Sequence, residues 1–260
     1  MEIPIRFPHP AEVIAEEAEK FRRNRLKSHS GSFGVPRDPP RSKRRSTNSN
    51  GNGSALSTRC LRTMSEAGPA PTLIEAVDRM RDAFARFGVS YALIGGMAFG
   101  LQVRPRATKD AHFLIAVPQI RLPALLDDLV ENGFSLNPRT VIEEFVQHHM
   151  THFVFSGARI DWLKPVVPAY QHVLDHAREE PFLGKPLRLA SPEGLILLKL
   201  TASRPQDVAD IAAILAANRR KLDMPWIERE WRTLYELDDP RWQRFQETVR
   251  EFYECRPPAA

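Results

Sequence analysis

The chain has 260 residues, with 37 Lys and Arg against 32 Asp and Glu and a net charge of +5, long enough for one sizeable domain and an additional segment. The excess charge sits at one end: residues 1–63 carry 13 basic against 6 acidic residues and the rest is net −2, so wholesale attraction of the folded part to nucleic acid does not follow. No apolar run approaches the ~20 residues needed to span a bilayer, and no charged-then-apolar leader precedes a cleavage site, so neither membrane insertion nor export is expected. Cys60 and Cys255 give no disulfide framework and fit a reducing cytoplasm.

Residues 1–66 read as a basic tail. The run from Pro39 through Arg41, Lys43, Arg44 and Arg45 into Ser, Asn and Gly has too little apolar surface to fold and is predicted to be disordered. Val13, Ile14, Ala18 and Phe21 allow a short amphipathic helix over 11–27, marginal by itself. The Arg41 to Arg45 cluster is read as a solvated linker, with contact to nucleic acid or anionic lipid as the alternative. Translation starting at Met64 would remove the tail altogether.

Order begins at Thr72-Leu-Ile-Glu75, a capping-box pattern, with Leu73, Val77, Met80 and Phe84 at helical spacing until Gly88. Tyr91 to Ile94 make a buried strand, and Gly95-Gly96 lets the backbone turn sharply and approach a ligand closely. The amides from Met97 onward would be the unpaired donors of a helix N-terminus, where a phosphate fits, and Arg104 and Arg106 add cations nearby. Asp110 and His112 stand two apart at the start of the next strand, so alternation puts both on one face, within reach of one metal ion. A plain strand-to-helix turn followed by a polar edge pair is the competing reading.

Residues 119–132 and 140–148 read as helices, and 151–155 and 158–163 as strands joined by a Ser-Gly turn. Asp161 lies between Ile160 and Trp162, where an unpaired buried charge costs at least a few kcal/mol; it binds a metal, pairs with Arg159 or another arginine, or faces solvent. His148, His149 and His152 lack a clear zinc-ligand frame and read as polar surface. Ser191 and Pro192 start a helix that is apolar on nearly every side except for Lys199. A second helix starts at about Pro205, with Asp207 and Asp210 in its first turns; Lys199 snorkels out, pairs with a carboxylate such as Asp207 in a structural ion pair, or meets a phosphate. Trp226 to Leu237 and Trp242 to Tyr253 read as amphipathic helices split by Asp239-Pro240, their aromatics serving packing, or covering a cleft or partner.

In order, Gly95-Gly96, Arg106-Ala-Thr108-Lys-Asp110-Ala-His112, Arg159-Ile-Asp161, the Ser191-Pro-Glu block with Lys199, and Arg204-Pro-Gln-Asp207-Val-Ala-Asp210-Ile resemble the motifs of the minimal nucleotidyltransferases of the polymerase-β superfamily, most of all the abortive-infection AbiEii/AbiGii-type toxins. The likeness covers about residues 72–220. It implies an α/β (α+β) fold with a small mixed sheet flanked by helices, here a domain over 70–220 followed by a C-terminal helical extension over 221–256. It also implies transfer of a nucleoside monophosphate from an NTP, with Mg²⁺ or Mn²⁺, to an RNA (tRNA) or protein hydroxyl, and an antitoxin partner. Carried over, Asp110 and Asp161 are the catalytic carboxylates. Asp110, His112 and Asp161 hold the metal, and Gly95, Gly96, Arg106, Thr108, Lys199 and Asp207 contact the nucleotide. The family writes Asp-x-Asp where this chain has Asp110-Ala111-His112. A neutral imidazole removes one negative charge and offers nitrogen, which suits Mn²⁺ or Zn²⁺ better than Mg²⁺. The alternatives are a non-catalytic nucleotide-binding or interaction module and a small-molecule transferase of the aminoglycoside-modifying kind.

Overall fold

The structure, a computed structural model, describes residues 71–218 and 221–253. The tail over 1–66, its 11–27 helix, the Met64 start and both cysteines lie outside these residues. In chain order the elements are α1 (Pro71–Phe87), β1 (Ser90–Ile94), α2 (Gly95–Gln102), β2 (Asp110–Ala116), a 3-10 turn (Gln119–Arg121) leading into α3 (Leu122–Glu131), β3 (Phe134–Ser135), α4 (Pro138–Gln147), β4 (Met150–Phe155) and β5 (Ala158–Leu163). These are followed by α5 (Pro168–Asp175), β6 (Arg178–Phe182), β7 (Lys185–Leu189), α6 (Pro192–Ala202), α7 (Pro205–Asn218), α8 (Met224–Arg232) and α9 (Pro240–Tyr253).

Among the described residues the strands form one seven-stranded sheet in the order β3-β4-β5-β2-β1-β7-β6. β2 pairs with β5 and β1 with β7 in parallel, and the other neighbours are antiparallel. This is the mixed α/β architecture, a sheet flanked by helices, that the sequence led us to expect. The polar residues collect on β2 and β5, the centre of the sheet, where a strand is covered from both sides by neighbours.

Alternation sorts those two strands into an apolar and a polar face. Phe113 and Trp162 pack against Phe84 of α1, at 5.5 and 5.8 Å between ring centroids, and Trp162 meets Phe153 edge-on at 4.9 Å. All are essentially inaccessible to water, and burying each contributes about 1.5–3 kcal/mol relative to exposure. α1 ends at Gly88, whose φ of +58° is the left-handed conformation that reverses the chain into β1. α6 is buried along nearly its whole length, as its all-round apolar pattern requires. Its N-terminus is capped by the Ser191 hydroxyl, which accepts from the Gly194 amide at 3.1 Å, and Pro192 takes the first helical position.

Two local expectations are revised and one region is new. Pro71 already belongs to α1, so Thr72 is a first-turn residue and not its cap. α8 stops at Arg232 and does not run to Leu237, because the chain turns at Thr233 and Tyr235 packs back on Trp231 at 4.7 Å. Residues 168–175 and 178–189, which carried no expectation, form α5 and the β6–β7 hairpin at the sheet edge.

Candidate functional site

Parallel pairing of β2 with β5 places Asp110 beside Arg159 and His112 beside Asp161. Period-two alternation points all four to the face opposite Trp162, and the result is a two-by-two block in which each charge has opposite charges as neighbours. Asp161 is 1% exposed, whereas Asp110 and Arg159 are about a quarter exposed and His112 lies between. His112 Nε2 is 3.1 Å from Asp161 Oδ2 and 3.5 Å from Asp110 Oδ2. Arg159 forks onto Asp161, Nε donating to Oδ1 and Oδ2 at 2.9 and 3.0 Å and Nη2 to Oδ1 at 2.7 Å. Thr108 Oγ1 donates to Asp110 Oδ1 at 2.9 Å and fixes its rotamer.

One ligand atom from each of Asp110, His112 and Asp161 lies within 4.8 Å of the others, the one such group of three or more among the described residues. Two carboxylates and an imidazole suit one divalent ion that tolerates nitrogen, Mn²⁺ before Mg²⁺. His148 and His152 are exposed and belong to no such group.

Burial opposes a charged imidazole, but the hydrogen bonds and negative charges of Asp110 and Asp161 outweigh it and raise His112 to about 9. Burial also pushes the Asp161 carboxyl up, and hydrogen bonds from His112 and Arg159 outweigh that and hold it below the ordinary carboxylate value. Because the folded value of His112 lies above its ordinary 6.5, the charged ring stabilises the metal-free fold fully below about pH 6.5, and that contribution is lost as pH rises through about 9. For Asp161 the sign is opposite: its contribution is present above the ordinary 3.8 and lost as pH falls through its lower folded value. Chelator-treated protein should therefore melt at progressively lower temperature as pH is raised from about 7 to about 10, more steeply than His112→Asn does. Parallel curves for the two proteins would contradict the assignment.

Next to the block stands the glycine turn. Gly95 has a φ of +71°, and a Cβ placed on it would lie 2.6 Å from His112 Nδ1, so both backbone and ring exclude a side chain there. Gly96 is the second residue of α2, whose N-cap Ile94 supplies no side-chain cap, and a Cβ on Gly96 would meet Arg106 Nη2 at 3.0 Å. The Arg106 guanidinium is thus laid along the turn that presents the first amides of α2.

Arg106 is held there from behind. Its Nη1 donates to both oxygens of Asp210 at 2.9 and 2.8 Å, and Lys199 Nζ donates to Asp210 at 2.6 Å and to Asp207 at 3.3 Å. Arg204 Nε donates to Asp207 at 2.6 Å. The hydrogen bond with Asp207 is the chief reason Arg204 lies above its ordinary value, burial opposes the rise, and Asp110 and Asp210 add to it. Lys199, Asp207 and Asp210 are buried, so Lys199 and Asp207 form an internal ion pair. The function of Asp210 as the tie between Lys199 and Arg106 escaped the sequence reading: Arg106 and Asp210 are 104 positions apart, a separation no local spacing rule detects.

No protein-family model matches the chain, and no curated protein matches it in sequence. Among solved structures it is similar to the crystal structure of an antigenic nucleotidyltransferase-like protein from Paracoccidioides brasiliensis, at 15% identity and a TM-score of 0.40 over 67% of this chain and 92% of that one. A likeness of that degree leaves the functional reading to the side chains themselves.

Proposed function

We propose that the chain is a metal-dependent nucleotidyltransferase, in which an acceptor hydroxyl attacks the α-phosphorus of a nucleoside triphosphate in line and pyrophosphate leaves. The supporting observation is the convergence of Asp110, His112 and Asp161 from two parallel strands to within 4.8 Å, beside a glycine turn lined by Arg106. Those three residues would hold one divalent ion, which when bound neutralises phosphate charge and lowers the pKa of the attacking hydroxyl. The protein's own part is positioning and charge. Gly95 and Gly96 let the triphosphate approach the first amides of α2. Arg106 offers the side of its guanidinium not used by Asp210, and Thr108 orients Asp110. Lys199 and Asp207 act from behind, bracing Asp210 and Arg204. Asp161 would accept the proton of the acceptor hydroxyl only through an oxygen released by Arg159 and His112, which engage both oxygens here.

The acceptor is an RNA 3′ end, such as that of a tRNA, or a protein hydroxyl, and a toxin paired with an antitoxin is the setting the motif likeness favours. A polycationic aminoglycoside has less support: the partly exposed side chains beside the block include the cations Arg106 and Arg159, which would repel it. A labelled-nucleotide transfer assay with Mn²⁺ or Mg²⁺ against total RNA, bulk protein and aminoglycosides tests the reading. No label in any acceptor, with nucleotide still bound, would favour a second reading.

That second reading is a nucleotide-binding module without catalysis. It is favoured by one observation, that His112 and Arg159 already neutralise the two carboxylates. His112→Asp separates the two readings by supplying a third carboxylate and removing the resident positive charge. It should raise Mg²⁺-dependent transfer by roughly ten- to a hundredfold, in line with the effect of reshaping a metal's ligand environment, and narrow the preference for Mn²⁺. An unchanged metal profile would argue that position 112 is not a metal ligand.

A further inference from the structure

Both oxygens of Asp161 are already engaged by cations of the chain. An ionised carboxylate offers about four lone-pair sites. Here Oδ1 receives Arg159 Nε at 2.9 Å and Nη2 at 2.7 Å, while Oδ2 receives Arg159 Nε at 3.0 Å and faces His112 Nε2 at 3.1 Å. Three of these four contacts come from one guanidinium, and the carboxylate beneath it is 1% exposed. Asp110 differs: it is 28% exposed and is approached by the neutral Thr108 hydroxyl and by His112. The two carboxylates of the block are therefore unequal, one partly exposed to solvent and one sealed beneath a guanidinium that bonds both of its oxygens.

We propose that Arg159 is an internal competitor for the metal, a positioning residue that must release at least one oxygen of Asp161 before that carboxylate can ligate a divalent ion. The inference rests on reading Asp110, His112 and Asp161 as a metal site. The competition follows from charge and geometry together. A guanidinium bonded to both oxygens satisfies the carboxylate more fully than a lysine, which bonds as a point charge. It also places a fixed positive charge within a few ångströms of the incoming ion, a repulsion that is weakly screened at a site mostly shielded from water. Arg159 itself is 27% exposed, so its head has solvent to move into when the ion arrives. Metal-free, the pairing keeps Asp161 from being a buried unpaired charge. The consequence is a site whose first hold on an ion is Asp110 and whose full ligand set forms only on displacement of Arg159.

The test is Mn²⁺ binding to the full chain without nucleotide, read as free Mn²⁺ by electron paramagnetic resonance and as heat by calorimetry, with Asp110→Ala as the background. Arg159→Gln should bind Mn²⁺ roughly tenfold or more tightly than the wild type. Arg159→Lys, which keeps a charge but loses the fork, should fall between them, and it carries the test if the glutamine variant does not fold by its circular dichroism and melting curve. If the wild type binds Mn²⁺ through Asp110 and neither folded variant binds it more tightly, Arg159 is no competitor and the metal site stands alone. If neither the wild type nor the variants bind Mn²⁺ above the Asp110→Ala background, the metal site itself is wrong and this inference falls with it.

Discussion

Asp110→Ala is expected to lower NTP-dependent pyrophosphate release by on the order of a thousandfold while leaving the protein folded. A metal at such a site supplies several kcal/mol of transition-state charge stabilisation, and each 1.36 kcal/mol is a factor of ten in rate. The side chain is 28% exposed and opens strand β2, so its loss creates neither a sealed cavity nor a stranded buried charge. His112 and Thr108 each lose a contact, but His112 keeps Asp161 at 3.1 Å. Because Asp110 also supports the charged His112 ring, the melting temperature should fall modestly while activity disappears, and measuring both on one preparation separates chemistry from folding. Wild-type pyrophosphate release from the alanine variant, with the true acceptor present, would remove Asp110 from the mechanism.

The second large effect is on stability. Asp210→Ala should destabilise the fold by about 3 kcal/mol or more, the cost of removing one member of a buried ion network and leaving its partners uncompensated. Lys199, which points to Asp210 at 2.6 Å from a helix buried almost throughout, would keep only Asp207 at 3.3 Å, and Asp207 is already taken by Arg204. Arg106 would lose both of its contacts to Asp210 and with them its fixed place against Gly96, so nucleotide affinity should weaken in whatever fraction remains folded. Denaturant unfolding of the variant reports the first effect directly. A loss below about 1 kcal/mol would mean that the network is as weakly coupled as a surface pair.

How far the sequence led depended on whether a feature was local. Asp110 and His112 were legible as neighbours because two-residue alternation on a strand fixes which side chains share a face, and Gly95-Gly96 because few other residues tolerate such a turn; Asp161, on another strand, was joined to them only by the motif likeness. The α6 N-terminus was legible for the same kind of reason: Ser191 and Pro192 act within four residues of themselves. The β6–β7 hairpin was not, since β6 is an edge strand with only Phe182 buried and carries no alternating signal. The extent of α8 was misjudged because Leu234, Tyr235 and Leu237 continue an apolar series after the helix has ended: burial requires apolar residues, not helical ones. Asp210 lay in a motif that was read, yet what it does depends on Arg106, brought to it by the packing of α2, α6 and α7.

The placement of Asp110, His112, Arg159 and Asp161 on two parallel strands also bears on how the chain finds its own alignment. A shift of β2 against β5 by one residue would turn polar side chains into the aromatic layer and is rejected by hydrophobicity alone. A shift by two keeps every residue on its proper side, so hydrophobicity cannot distinguish it from the native pairing. In that misaligned state either Asp110 would face Asp161 or His112 would face Arg159, and like charges directly opposite each other are destabilising. The same four residues that form the site thus penalise a two-residue slip of β2 against β5 in either direction.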